Sequence, residues 1–140
     1  MPASAELLVH ALLCEPEVLR LSLPRLESMV DESVNTWTPS VHTTSRTELV
    51  KRLLGGDNAI TDVVTHVERR TDIGATTFVE WSMRGRFGNG VFLNDDVLVE
   101  PTGREVSAVG FLVITFSAGR ATDIQCHYDA IGLARQVLDS

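Results

Sequence analysis

The sequence lacks the short motifs that mark several large classes of enzyme. It contains no Cys-x-x-Cys, no His-Glu-x-x-His, no glycine-rich phosphate-binding loop and no Gly-x-Ser-x-Gly. These motifs supply redox or metal-binding thiols, zinc ligands, phosphate-binding amides and a nucleophilic serine, respectively. Metal-dependent, nucleotide-dependent and serine-hydrolase functions therefore have no support. We predict that the protein uses no metal and no cofactor.

The chain also lacks a basic surface and a long apolar run. Its formal net charge is -7, and its 12 lysines and arginines form no basic stripe beyond isolated pairs such as Arg69-Arg70. Contacts to a phosphate backbone need clustered basic residues, so nucleic acid is not an expected partner. No apolar run approaches the roughly 20 residues that span a bilayer, and the N-terminus shows no secretion signal. We expect a cytoplasmic protein that does not enter membranes.

Cysteine is scarce, and the overall composition is that of an ordinary globular chain. Cys14 and Cys126 are the two cysteines. Without a secretion signal, two thiols are expected to stay reduced, although a disulfide between them is the alternative. The 140 residues suit one domain, residues 1–140, with a core of ordinary size.

The first third of the chain is predicted to be mainly helical. Residues 4–30 have apolar side chains at helical spacing, with Ser4 as a possible N-cap and with Pro16 and Pro24 each starting a new turn. A second helix is expected from Ser45, because Ser45-Arg46-Thr47-Glu48 has the form of a capping box and Gly55-Gly56 would stop it.

Strands are predicted for most of the remaining chain. Val34 to Thr38 is the first, and residues 61–70 and 75–87 form a hairpin about Asp72-Ile73-Gly74. The acidic stretch 91–100 is either a hairpin extension or a flap.

The C-terminal end reads as a hairpin followed by a helix. Residues 108–116 and 121–128 are the two strands, and Asp129 is expected to cap the helix after them. Helices first and strands afterwards indicate an α+β fold, with helices on one face of a mostly antiparallel sheet.

Four short motifs follow one another along the chain. They are Trp81-Ser82-Met83-Arg84-Gly85, Pro101-Thr102-Gly103-Arg104, the Gly119-Arg120 turn, and His127-Tyr128-Asp129 ahead of Leu133-Ala134-Arg135-Gln136-Val137. In this order they resemble the SnoaL-like polyketide cyclases, a family of the ketosteroid-isomerase-like (nuclear-transport-factor-like) superfamily. The resemblance implies a curved sheet wrapped by the N-terminal helices into a cone with one deep apolar pocket.

The same resemblance shows that the family's acid-base groups are missing here. The aldol cyclases carry a His and an Asp at the positions of Leu112 and Cys126. The related epoxide hydrolases carry their Arg-x-Asp pair and further Asp where this chain has Trp81, Met83 and Cys126. The side chains present at these positions cannot take over the acid-base work of the family's His, Asp and Arg residues. We therefore do not expect acid-base catalysis from them.

We therefore predict an apolar, aromatic pocket wall with few polar groups. Asn35, Tyr128 and His66 are the candidate catalytic residues. The predicted substrate-binding residues are Trp37, Trp81, Met83, Leu112, Ile114 and Cys126.

The position of His66 depends on the turn between the two long strands. A three-residue turn pairs Thr65 with Trp81 and points His66 away from the pocket, whereas a two-residue turn at Ile73-Gly74 brings His66 inside. The first register is favoured because it collects the apolar side chains on one face.

These observations predict a cofactor-independent enzyme that closes a ring in a hydrophobic, polyketide-type substrate during natural-product biosynthesis. Because the His-Asp dyad is absent, ring closure would be driven by shape, as in a [4+2] addition. A non-catalytic module that binds a hydrophobic metabolite, and an epoxide-opening cyclase or isomerase, are the alternatives. The resemblance also implies a homodimer, with Phe78, Phe111 and Val113 on the outer face of the sheet.

Overall fold

The computed structural model describes residues 2–13, 15–39, 42–54, 59–94 and 96–138, with the side chains of 2–4, 16–22 and 91–94 left out. Cys14 and the predicted stop at Gly55-Gly56 lie outside these residues. Cys126 is described, and it is a free, buried thiol.

The described residues form four helices and eight strands. In chain order they are α1 (Pro2–Leu12), α2 (Pro16–Met29), β1 (Val30–Trp37), β2 (His42–Thr43), α3 (Arg46–Leu54), β3 (Ile60–Ile73), β4 (Thr76–Phe87), β5 (Val91–Asn94), β6 (Val97–Val99), β7 (Glu105–Ser117), β8 (Arg120–Tyr128) and α4 (Ala130–Leu138).

Six of the strands form one curved, unclosed sheet. Their order is β2-β1-β8-β7-β4-β3, and every neighbouring pair is antiparallel except β1 and β8, which run parallel. The remaining strands, β5 and β6, make a separate two-stranded hairpin. The predicted α+β class and mostly antiparallel sheet are confirmed. Residues 91–100, for which a hairpin extension or a flap was predicted, contain the β5–β6 hairpin.

The core lies between this sheet and the N-terminal helices. Buried leucines from α1, α2 and α3, namely Leu8, Leu26 and Leu49, join one cluster with strand residues such as Trp81 and Ile124. We call the helix-covered side of the sheet the inner face and the opposite side the outer face. A smaller cluster of Phe87, Val106 and Val137 seats α4 against β7.

The N-terminal helices differ from the prediction at two positions. Pro16 does begin a helix, but α1 starts at Pro2, so Ser4 lies in its first turn and not at its cap. Pro24 lies inside α2, where a break was expected. A proline removes one amide donor from a helix, yet the buried Leu26 packs against the core and keeps the helix continuous.

Capping accounts for the start of α3. The Glu48 amide donates to Ser45 Oγ (3.1 Å), as the predicted capping box requires. The return bond differs by one residue, because Glu48 Oε2 accepts the amide of Thr44 (2.9 Å) and not that of Ser45.

The β3–β4 hairpin has a different register from the one predicted. Ile73 pairs with Thr76, so the turn consists of Gly74 and Ala75, and Gly74 has a φ of +59°. A bulge between Val67 and Arg69 then shifts the pairing, and Val67, not Thr65, lies opposite Trp81. The position of the turn and the bulge both shift the strand register, and alternation alone reveals neither.

The C-terminal helix is fixed at both ends. Asp129 is its N-cap as predicted, since Oδ1 accepts the amide of Gly132 (2.8 Å). Near the other end, the Gln136 side chain makes two hydrogen bonds with the backbone of Ser107 on β7, each 2.8 Å long.

Replacing Asp129 by Ala removes this cap, and we expect the free energy of unfolding to fall by about 1 kcal/mol. Urea unfolding followed by circular dichroism measures the change. Glu100→Ala is the control, because it deletes an exposed carboxylate at a position outside the helices. An equal loss in both variants would contradict the capping role.

Candidate active site on the inner face of the sheet

Six of the nine predicted catalytic and substrate-binding residues lie on the inner face. They come from the three central strands, β4, β7 and β8, where side chains alternate between the two faces. Leu112 pairs with both Val79 and Cys126, so the apolar surface is continuous across the three strands. The residues are Trp81, Met83, Leu112, Ile114 and Cys126, which are buried, and Tyr128, which is half-buried.

Trp81 and Tyr128 meet across a glycine at the centre of this surface. Gly110 on β7 pairs with Trp81 on one side and Tyr128 on the other. The two rings make an edge-on contact, with centroids 5.9 Å apart and planes at 63°. A Cβ atom at position 110 would lie 2.5 Å from the Trp81 ring and 2.1 Å from the His127 carbonyl oxygen. Only glycine therefore leaves room for this indole.

The inner face carries polar atoms that lack protein partners. Among the described residues, three buried side-chain atoms make no hydrogen bond: Trp81 Nε1, Thr36 Oγ1 and Thr43 Oγ1. Thr36 and Thr43 lie opposite each other on β1 and β2. Leaving such a group unsatisfied costs about 1–3 kcal/mol, so each is suited to an oxygen or nitrogen atom of a bound molecule.

Cys126 is chemically quiet despite its position beside Trp81. Burial raises the pKa of its thiol to about 12, and the opposing effect of the nearby Trp81 N–H is smaller. Nucleophilic attack and metal binding need the thiolate. At neutral pH Cys126 therefore serves as part of the apolar surface.

Asn35 and Trp37 are not on this surface, and their predicted place in the pocket wall is wrong. Val34 and Thr36 are the fully buried residues at this end of β1, whereas Trp37 is 42% exposed on the outer face. Within the predicted strand, Val34 to Thr38, each face offers one apolar residue, Val34 or Trp37, so alternation did not decide between them. The parallel pairing of Thr36 with Ile124 fixes the choice.

Asn35 and Trp37 instead belong to an outer-face network. Asn35 Nδ2 donates to Asp123 Oδ1 (3.0 Å), and Asn35 Oδ1 lies 3.1 Å from His42 Nε2. The His127 ring contacts Trp37 at a centroid distance of 5.1 Å and stacks on Phe111 at 4.7 Å.

His66 also lies away from the inner face. It pairs with Ser82 and is exposed, while its neighbours Thr65 and Val67 face inward. The predicted orientation of His66 is confirmed although the register behind it was wrong. The assignment of His66 as a catalytic candidate is corrected accordingly, because its ring is on the opposite side of the sheet from Trp81.

A different histidine approaches the inner face. His10, near the end of α1, contacts Glu15 through Nδ1, and Thr65 Oγ1 contacts both. Thr65 is buried and pairs with the buried Met83. Sequence reasoning missed this group, since it needs three segments to meet; the available signal was a histidine and a glutamate on either side of the break between two helices.

No group of three or more His, Cys, Asp or Glu side chains within the described residues is placed to bind a metal ion. In the same part of the chain, no helix has the length and apolar character needed to cross a bilayer.

Comparison with solved structures finds this architecture many times. AclR from Streptomyces galilaeus, provisionally named a hydroxylase, superposes with a TM-score of 0.70 at 16% identity, over 100% of this chain and 83% of its own. IdmH from Streptomyces antibioticus, provisionally named a polyketide cyclase, gives 0.70 at 15% identity, over 92% and 96% of the two chains. A SnoaL-like protein from Jannaschia, provisionally named a polyketide cyclase, gives 0.69 at 13% identity, over 96% and 90%.

Other matches include NTF2-like proteins and an epoxide hydrolase of Mycobacterium tuberculosis. No protein-family model and no curated protein matches the chain. At these identities the likeness concerns the fold. The predicted resemblance is confirmed at that level: the chain has the NTF2-like α+β fold that SnoaL-like polyketide cyclases and ketosteroid-isomerase-like proteins share.

Proposed function

We propose that this protein is a cofactor-independent enzyme of cyclase or isomerase type that acts on a hydrophobic small molecule. The observation that carries the proposal is the Trp81 indole, which is buried in an apolar face and whose N–H group has no oxygen or nitrogen acceptor among the described residues, the nearby Cys126 thiol being only a weak one. A substrate carbonyl could accept this hydrogen bond while its carbon chain lies against Met83 and Tyr128. Several proteins of the same fold are named as cyclases, which supports this class of reaction.

The chemistry of this surface favours ring closure by confinement. Holding two ends of one chain together can supply up to about 7–11 kcal/mol in favourable intramolecular models. A donor aimed at a carbonyl stabilises charge that develops on its oxygen. A [4+2] closure in a polyketide-type natural product needs no proton transfer, and it agrees with Leu112 and Cys126 standing where the aldol cyclases have their dyad.

The second candidate function is binding without catalysis. A non-catalytic module that binds a hydrophobic metabolite would use the same face and would have the same apolar residues at positions 112 and 126. Epoxide opening has less support, because Trp81, Met83 and Cys126 replace the groups that would activate water.

Pseudoionone, a linear unsaturated ketone, is a concrete first ligand and isomerisation substrate, and a polyene ketone whose diene and distant alkene can meet is the matching substrate for [4+2] closure. An enzyme of the proposed type converts it, or a longer polyene ketone tested beside it, to a product of the same mass and a different chromatographic retention time. Binding without conversion across the panel would favour the metabolite-binding module, and absence of binding would contradict both functions.

Replacing Trp81 by Phe keeps an aromatic ring and removes the N–H donor. We expect kcat/KM to fall about 10-fold, in line with the loss of one hydrogen bond worth about 1.4 kcal/mol. Trp37→Phe is the matched control, and it should stay within about two-fold of the wild type because Trp37 lies on the outer face. Equal losses in the two variants would contradict the placement of the site.

We also propose that the protein is a cytoplasmic homodimer that pairs through the outer face. Val109 is 73% exposed there. Phe111, on the same strand β7, and Phe78, on the neighbouring strand β4, are about half exposed. A second copy would cover these side chains with the same apolar row, as an isologous contact requires.

Phe111→Asp places a carboxylate in the middle of this row, and we expect it to convert a dimer into a monomer. Light scattering after size-exclusion chromatography measures the mass. Ile131→Asp is the control, since Ile131 is an even more exposed apolar residue (70% against 48% for Phe111) but lies on α4. A wild-type protein with the mass of one chain would contradict the dimer.

A further inference from the structure

The break between α1 and α2 brings an acid-base group to the inner face. α1 ends at Leu12 and α2 begins at Pro16, so the chain turns back between His10 and Glu15. Glu15 Oε2 contacts His10 Nδ1, and the two side chains are 17% and 26% exposed. The Thr65 hydroxyl, from the edge strand β3, contacts both. Three segments of the chain thus meet at one polar point.

We assign the tautomer of the imidazole from its contacts with Glu15 and Thr65. An ionised Glu15 accepts the proton on His10 Nδ1, and the Thr65 hydroxyl donates to the same carboxylate. The second ring nitrogen, Nε2, is then an acceptor, and no described residue bonds to it. A histidine that is oriented through Nδ1 and open at Nε2 is arranged as a general base.

The group lies on the same face as the proposed substrate. Thr65 pairs with Met83, and the adjacent inward-facing pair on the two strands is Val67 with Trp81. Two residues along a strand span about 7 Å. A substrate held by the Trp81 N–H can therefore extend toward His10 along Met83, and the partial exposure of His10 leaves it within reach.

Few other charges surround this imidazole among the side chains that the structure describes, which exclude those of residues 16–22. On α1, Glu6 is one turn earlier and exposed, and Glu15 is the ion-pair partner. The titratable residues near Thr65 and Met83 on the packed strands β3 and β4 are exposed: Asp62, His66, Glu68, Glu80 and Arg84. Among the described residues, Glu15 is therefore the ionisable side chain in contact with His10.

We propose that His10 is a catalytic base, with Glu15 and Thr65 as positioning residues, and that the natural substrate loses a proton from a carbon next to a carbonyl. The proposal rests on the inner face being the substrate site, and it replaces the [4+2] closure considered above with a route through proton transfer. His10 Nε2 takes the proton, the C–H electron pair becomes a C=C bond, and the carbonyl oxygen receives the charge beside the Trp81 N–H. Return of the proton from His10 Nε2 to another carbon completes an isomerisation. Alternatively, the enolate carbon attacks a second carbonyl carbon of the same chain, the C=O π pair moves to that oxygen, and the oxygen takes the proton from His10 Nε2 as the ring closes.

The probe is 5-nitrobenzisoxazole, a flat apolar molecule that reports on bases without knowledge of the natural substrate. A base removes its carbon-bound proton, the C–H electrons form a nitrile, and the N–O bond breaks to release a coloured phenolate. No oxidant or second reactant is needed. We expect the wild type to accelerate this elimination, with a rate that falls as the pH is lowered and the imidazole becomes protonated.

The variants separate the base from its surroundings. His10→Gln should lower the rate about 100-fold, within the range for general-base catalysis, and remove the pH dependence. Glu15→Gln should lower it less, about 10-fold, because the imidazole remains but loses its orientation. His66→Gln is the matched control on the outer face and should leave the rate unchanged. Added imidazole should restore activity to His10→Ala, which a purely structural role would not allow.

Calorimetric binding of 6-nitrobenzotriazole, a non-reacting analogue, separates two kinds of failure. Binding to wild type with equal elimination rates in wild type and His10→Gln would overturn the role of His10 and leave the proposed function standing. Absence of binding would overturn both, because the base has been placed by reference to that face. Circular dichroism of each variant verifies that the rates belong to folded protein.

Discussion

The site depends on the missing side chain at Gly110. β7 runs between β4 and β8, and only a glycine at this position allows the Trp81 indole to lie across the strand and reach the ring of Tyr128. Any Cβ would meet a backbone carbonyl at 2.1 Å as well as the indole, and a backbone atom does not move aside cheaply. Gly110 therefore fixes the position of Trp81. The indole in turn lies beside the buried Cys126 and places its N–H donor in an apolar setting.

The two faces of the same sheet have different chemistry. The inner face combines large apolar side chains with isolated donors, which suits a hydrophobic molecule bearing one or two oxygen atoms. The outer face combines exposed aromatic and aliphatic side chains with the hydrogen-bonded chain from His42 through Asn35 to Asp123. Its composition suits a protein contact, so substrate binding and subunit pairing need not compete for one surface.

Sequence reasoning predicted the fold well because its strongest signals are local. Alternation over residues 75–87 and 108–128 placed Trp81, Met83, Leu112, Ile114, Cys126 and Tyr128 on one face, and Asp129 and Ser45 marked helix starts. It failed where the answer depended on pairing between distant segments. Trp37 was assigned to the wrong face because residues 34–38 have one apolar candidate on each side, and only the parallel contact of β1 with β8 decides. His10 was missed for a related reason, since its partners Glu15 and Thr65 come from a helix break and an edge strand.

The central claim is that a hydrophobic molecule binds against Trp81, and the two tryptophans of the chain allow a direct measurement. In Trp37→Phe the fluorescence comes from Trp81 alone, and in Trp81→Phe it comes from Trp37 alone. Titration with pseudoionone should quench the first variant in a saturable manner and leave the second nearly unchanged. Saturable quenching of Trp37 alone would place the binding surface on the outer face and contradict the account.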